Sequence, residues 1–198
     1  VGARMGQEIP KQFLSVNDKP VIVYTMEAFQ RHPLIDSIAV VCVDGWGDVL
    51  RAYARQFGIS KLDIVVPGGL NGQDSIRNGL FALEEHFSKD SVVLIHDAIR
   101  PMVSEEIISD CINKVIEKGN AISAIPCNEA MMTTDDGVVS TGQYPRSLLK
   151  RTQTPQGFRL QFICDLHRGA LEKGITNSVA SCTLMAEMGH QVYFSLGS

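Results

Sequence analysis

The feature that most constrains this chain is the regular exchange of two hydrophobic periods along its length. Segments 21–30, 49–57, 75–86, 105–118, 160–172 and 179–188 carry apolar residues three and four apart and read as helices. Between them lie short β-branched runs at 37–43, 63–66, 92–95, 121–125 and 191–195, which read as strands. Strand and helix in alternation build βαβ units with right-handed crossovers. The expected fold class is therefore α/β, in three layers with a mostly parallel sheet. Helix starts are marked as well: Ser104 stands before Glu105 and Glu106, whose charges complement a helix amino terminus.

One strand ends in an unusual way. Val92, Val93, Leu94 and Ile95 run without interruption, as a strand covered on both faces requires, and are followed by His96, Asp97, Ala98, Ile99, Arg100 and Pro101. An ionised carboxylate costs several kcal/mol to bury unpaired. Asp97 should accordingly stand at the carboxyl end of the strand, where open α/β sheets bind their ligands. A plain strand-end turn, with Asp97 paired to Arg100, accounts for the same residues.

At 198 residues the chain suits one domain, 1–198. It contains no apolar run long enough to cross a bilayer and no secretory signal, which argues against a membrane. A net charge of −4 offers no basic field for nucleic acid, so any anionic ligand must meet a local cluster. Five scattered cysteines without a C-x-x-C pair speak against zinc and against a disulfide framework, and point to the reducing cytoplasm. Cys42 and Cys111 fall inside apolar patterns as small core residues. Among five histidines only His96 lies at a strand end, and its neighbour Asp97 is the better candidate for chemistry.

Three further segments could meet ligands. Pro67-Gly68-Gly69-Leu70-Asn71-Gly72 precedes a helix opened by Asp74-Ser75, an arrangement that brings backbone N–H groups close to an anion or a polar ring; it also suits a tight turn. Residues 127–153 break the βα rhythm around Thr133-Thr134-Asp135-Asp136-Gly137, a hairpin turn flanked by 130–132 and Val138-Val139. A projecting β-arm follows, packed against a second subunit or exposed in a monomer. Finally, GARMGQEIPKQF sets Arg4 and Lys11 in a glycine-bearing loop, where two cations suit the oxygens of a polyphosphate or simply face solvent. Arg146 and Arg151 flank the return of the arm and could reach a second phosphate or form surface salt links.

GARMG-x4-PKQF, PGG followed by DSI-x-NGL, HDA-x-RP and QTPQ-x-F, in this order and at these separations, resemble the family of CDP-polyol-forming cytidylyltransferases over nearly the whole chain. That family comprises 2-C-methyl-D-erythritol 4-phosphate cytidylyltransferases and ribitol-5-phosphate cytidylyltransferases. The resemblance implies a nucleotide-binding α/β domain that transfers CMP from CTP to a polyol phosphate and releases pyrophosphate, with Mg²⁺ as the divalent cation. It implies that Arg4 and Lys11 are the catalytic cations around the triphosphate. Gly2, Gly68, Gly69, Ser75, Asp97 and Ala98 correspond to nucleotide-binding positions, with Asp97 also the metal ligand. Arg146 and Thr154 match the residues around the acceptor phosphate, Arg146 reaching the neighbouring subunit's site in a homodimer joined by the arm.

The chain also departs from the family pattern. Gly72 stands in place of an arginine, Ala130 in place of an arm threonine, and Asn177-Ser178-Val179-Ala180-Ser181 in place of a T-D-D-A-S-type run. The last two changes weigh against the erythritol acceptor without touching nucleotidyl transfer. Methylerythritol phosphate is nonetheless the first acceptor the resemblance suggests, with ribitol phosphate as the alternative and a catalytically silent nucleotide-binding module as a third reading. UTP or GTP in place of CTP stays open. A nicotinamide dehydrogenase is disfavoured because no G-x-G-x-x-G follows a strand with an acidic residue about twenty positions on. Family members begin with an apolar strand and continue into an N-x-K-[IV]-T segment, so the natural protein is expected to extend beyond both Val1 and Ser198.

Overall fold

The computed structural model describes residues 9–198. A 3-10 turn at Lys11–Phe13 leads into a small hairpin, β1 (Ser15–Val16) and β2 (Lys19–Pro20), whose turn residues Asn17 and Asp18 have positive φ. Then follow α1 (Val21–Arg31), β3 (Ile38–Cys42), α2 (Gly47–Gln56), β4 (Leu62–Pro67), α3 (Gly72–Glu84), β5 (Val92–Ile95), α4 (Glu105–Lys118) and β6 (Asn120–Pro126). The arm is β7 (Met131–Thr133) and β8 (Gly142–Tyr144). After it come β9 (Lys150–Arg159), α5 (Leu160–Glu172), α6 (Ser181–Glu187) and β10 (Phe194–Leu196).

The strands β3 and β4 form a parallel pair, and β10, β6, β9 and β5 form a four-stranded sheet in that order. Among the described residues no ladder joins the two groups; α3 packs against β3, β4 and α5 and so bridges them. The expectation of a mostly parallel sheet needs one correction. β10 is parallel to β6, but β9 is antiparallel to both β5 and β6, so this sheet is mixed. The reason is connectivity: β9 re-enters directly from the arm without a crossover helix, and a parallel strand would need one.

Strand β5 is covered on both faces, as its sequence requires, although its four residues are only partly buried. Val92 and Leu94 pack beside Cys111 and Val115 of α4, while Val93 and Ile95 pack into the cluster of Leu80, Phe158, Leu160, Ile163 and Leu184 under α3, α5 and α6. Helix α4 can approach β9 closely because position 157 is glycine; a Cβ there would lie 2.6 Å from Cγ2 of Val115. A further cluster, Phe13, Ile22, Val23, Met26, Leu50, Ala54 and Ile59, joins α1 and α2 to the β3–β4 pair. Burying side chains of this size contributes roughly 1.5–3 kcal/mol each. All five cysteines are buried and free, and burial pushes the Cys111 thiol up to about 12.

Two local expectations are corrected. The second arm strand is Gly142–Tyr144 rather than Val138-Val139, because Asp136 Oδ1 accepts from both the Val138 and Val139 amides at 2.9 Å and turns those residues into a loop. Helix α3 begins at Gly72, ahead of Asp74-Ser75, since Asn71 is its N-cap and accepts from the Asp74 amide at 2.9 Å. Ser104 caps α4 as its sequence indicated, accepting from the Ile107 amide at 3.3 Å.

Candidate active site

Strand register brings two of the candidate residues, Asp97 and Thr154, together at the end of β5. Ile95 of β5 lies opposite Gln156 of β9. Two residues further along each antiparallel strand, Asp97 comes opposite Thr154, and the Asp97 amide donates to Thr154 Oγ1 at 3.4 Å. On its other side β9 is irregular: Ile122 pairs with Gln156 but Ala124 with Thr152, leaving residues 153–155 opposite Ser123 alone. That bulge frees Thr154 from the β6 ladder and turns it to the strand end. The pairing was invisible in the sequence because QTPQ contains a proline and three polar residues, the composition of a loop.

Asp97 is about half exposed, with its side chain 52% accessible, and Oδ2 accepts from Arg100 Nε at 2.7 Å. The strand-end turn and the candidate ligand position are therefore the same feature. Arg100 also donates its amide to the Asp97 carbonyl at 3.0 Å, and its own carbonyl lies 2.9 Å from His96 Nε2. A carbonyl only accepts, so Nε2 carries a proton. Burial holds its pKa below the usual histidine value. His96 thus closes the turn through the Arg100 carbonyl. Ala98 sits beside Phe13, Ile22 and Trp46 in an apolar cluster, and its carbonyl accepts from Thr25 Oγ1 at 2.8 Å.

The second group lies where β4 enters α3. The Gly68 amide donates to the Cys42 carbonyl at 2.9 Å at the end of β3, and Ser75 Oγ accepts from the Gly69 amide at 3.0 Å while donating to the Asn71 carbonyl at 2.8 Å. Gly68, Gly69 and Ser75 are thereby brought together, with the Ser75 hydroxyl fixing the loop. A Cβ at Gly69 would stand 2.8 Å from the Asp74 carbonyl carbon and 2.9 Å from the Ser75 nitrogen, so only glycine fits. A Cβ at Gly72 meets nothing within 4 Å. Sequence reasoning missed Asn71 and Gln73, which tie this loop to a distant segment. Asn71 Nδ2 donates to the Thr176 carbonyl at 3.0 Å, Gln73 Nε2 donates to the Ile175 carbonyl at 2.8 Å, and Gln73 Oε1 accepts from the Ser178 amide at 2.7 Å.

Lys11 is exposed at the start of its 3-10 turn, while Phe13 two residues on is buried and stacks on Trp46 with ring centroids 4.6 Å apart. Phe13 belongs to the same apolar cluster as Ala98. Gly2 and Arg4 lie outside the described residues. Arg146 lies at the base of the arm, where Nη1 donates to the Asn128 carbonyl at 3.5 Å. Arg151 forms a surface salt link with Glu129 at 2.8 Å, the plainer of its two readings.

Among the described residues no three His, Cys, Asp or Glu side chains gather to hold a metal ion. Asp97 supplies one exposed carboxylate. That suits Mg²⁺, which keeps several waters and is held by one or two carboxylates together with substrate phosphates. A groove between α4 and β10, lined by Asp110, Asn113, Phe194 and Leu196, contains none of these residues.

The family model described as "IspD: 2-C-methyl-D-erythritol 4-phosphate cytidylyltransferase" matches residues 1–198. The chain belongs to the IspD family. Membership makes it a cytidylyltransferase, a nucleotidyltransferase that uses CTP. It is 42% identical to a ribitol-5-phosphate cytidylyltransferase from Lacticaseibacillus paracasei over 200 residues, covering 100% of this chain and 86% of that protein. A protein of the same name from Vibrio parahaemolyticus is 44% identical, covering 97% and 81%. A 2-C-methyl-D-erythritol 4-phosphate cytidylyltransferase from Geotalea uraniireducens is 33% identical, covering 100% and 84%. The crystal structure of the Francisella tularensis IspD superposes with a TM-score of 0.81 at 22% identity, covering 96% of this chain and 85% of that one. That likeness establishes the IspD fold, α/β with its mixed sheet.

Proposed function

We propose that this IspD-family chain transfers CMP from CTP to ribitol 5-phosphate, forming CDP-ribitol and pyrophosphate. The observation that carries the choice of acceptor is the pattern of likeness: 40–44% identity to proteins named ribitol-5-phosphate cytidylyltransferase, against 33–36% to those named for methylerythritol phosphate. The resemblance alone put methylerythritol phosphate first. Ala130 and Asn177-Ser178, already at odds with that acceptor, support the revised order.

In this reading a phosphate oxygen of the acceptor attacks the α-phosphorus of CTP in line, and the bond to the β-phosphate oxygen breaks as pyrophosphate leaves. Little covalent chemistry is asked of the protein; its task is to hold two anions head to head. Lys11, with Arg4, lines the triphosphate. The Gly68–Gly69 loop ahead of α3 approaches the nucleotide, and Thr154 and Arg146 fix the acceptor phosphate. Asp97 would hold Mg²⁺, which neutralises triphosphate charge and stabilises the leaving oxygens when bound.

The arm supports a homodimer. Met132, Val138, Val139 and Leu148 are exposed on or beside it, an apolar surface that an isolated two-stranded arm would not keep in water without a partner. The described residues contain no helix long and apolar enough to cross a membrane, and the five free cysteines suit the cytoplasm. Pyrophosphate release from CTP, followed with and without ribitol 5-phosphate, tests the assignment. Release that requires the acceptor is expected; no release with it would contradict the proposal.

A further inference from the structure

Helix α1 supports both halves of the candidate site. On one side it packs against the Lys11–Phe13 turn, with the Val21 amide donating to the Leu14 carbonyl at 3.0 Å. On the other side two of its residues, one helical turn apart, meet the loop that carries Asp97. Phe29 stands edge-on to His96 with ring centroids 5.0 Å apart, and Thr25 Oγ1 donates to the Ala98 carbonyl at 2.8 Å. Thr25 is 5% exposed, and its hydroxyl lies farther, 3.4 Å, from the Val21 carbonyl of its own helix. One proton cannot serve both carbonyls equally, and the shorter contact takes it. Thr25 is thus a buried hydrogen-bond donor committed to a loop 73 residues away, directly after the carboxylate.

We propose that Thr25 is a positioning residue for nucleotidyl transfer: its hydroxyl ties the Ala98 carbonyl to α1, so that the Asp97 carboxylate and the Lys11 ammonium stand at a fixed separation. The inference rests on the reading of Asp97 as the carboxylate that meets the metal-nucleotide complex. Arg100 and Thr154 fix Asp97 only relative to β5 and β9. Thr25 supplies a hydrogen bond that ties the loop to α1, against which the Lys11–Phe13 turn packs. Nothing in the sequence announced this, since a threonine on the buried face of an amphipathic helix reads as ordinary core.

Thr25→Val keeps the shape and removes the donor; Thr25→Ser keeps the donor. Calorimetric titration of CTP with and without Mg²⁺, alongside a melting curve, reads the effect. Thr25→Val is expected to weaken binding of the Mg²⁺–CTP complex about tenfold while changing metal-free CTP binding by less than about twofold, and Thr25→Ser to bind within about twofold of the parent. A purely packing role would shift the melting temperature and leave that difference untouched. Equal loss with and without Mg²⁺, no loss, or a serine variant that behaves like valine would overturn the proposal. Should Thr25→Val fail to fold, Phe29→Leu, which slackens the same mount at His96, is read in its place against the same criteria. Asp97→Asn separates the two levels. If it leaves the Mg²⁺ effect intact, the reading of Asp97 fails and the tie with it; if it abolishes that effect while Thr25→Val does not alter it, only the tie fails.

Discussion

The Asp97 amide donates to the hydroxyl of Thr154, joining the end of β5 to the bulge in β9. One residue thereby supports the turn that carries the carboxylate and faces the rim where the acceptor phosphate is proposed to bind. Thr154→Val should raise KM for the acceptor about tenfold with a smaller effect on KM for CTP, and Thr154→Ser should restore it. Steady-state kinetics with each substrate varied in turn decides this; equal effects on both substrates would assign Thr154 to the turn alone.

Lys11 is exposed, so its removal should leave the core intact. Lys11→Ala is expected to lower kcat by about a hundredfold or more with an unchanged melting temperature. Near-normal turnover would remove the lysine from the mechanism.

The nucleotide loop makes two opposite predictions at neighbouring glycines. Gly69→Ala drives a methyl group against the Asp74 and Ser75 backbone and should abolish CTP binding or destabilise the protein by about 1–3 kcal/mol. Gly72→Arg enters open space at the start of α3 and should fold normally, with CTP affinity equal to or above the parent's. Parallel melting curves and CTP titrations check both.

How far the sequence could be read follows the kind of force at each element. Val92–Ile95, Glu105–Lys118 and Leu160–Glu172 have the bounds expected from their patterns, because each buries a continuous apolar face that no loop could satisfy. Strand β9 escaped because its pairing is set by the return of the arm, and its central QTPQ is polar. Asn71 was overlooked as a cap because the acidic Asp74 looked like the better helix start. At the candidate site, strand-end logic singled out Asp97 and glycines ahead of a helix singled out the Gly68–Gly69 loop, whereas Thr25 makes a contact 73 residues distant that no local pattern encodes.

His167 offers a test of stability against pH. It is 1% exposed, neither ring nitrogen has a hydrogen-bond partner among the described residues, and burial, with Arg77 adding to it, pushes its pKa down from 6.5 to about 4. The unfolded chain binds the proton more readily than the folded one between those values. Stability is therefore whole above the unfolded value and falls as pH drops from 6.5 toward about 4, by about 3 kcal/mol in all. Urea unfolding of His167→Leu across that range should show a shallower loss than the parent; an identical slope would refute the assignment.

The arm makes a prediction that only a shared site can meet. Lys11→Ala and Arg146→Ala should each be nearly inactive alone. Mixed by unfolding and refolding together, they should recover about a quarter of parental activity, because half the dimers then contain one site with both residues intact. No recovery would place Arg146 in its own subunit's site or outside the reaction.

The most direct measurement is a competition. With CTP and Mg²⁺ supplied, ribitol 5-phosphate and 2-C-methyl-D-erythritol 4-phosphate are offered together at equal concentration and the two CDP-polyols are separated and weighed against each other. We expect CDP-ribitol to dominate by about tenfold or more, the order of discrimination that a few polar contacts to an acceptor supply. A product mixture dominated by the methylerythritol derivative, or no CDP-polyol at all, would contradict the proposed function.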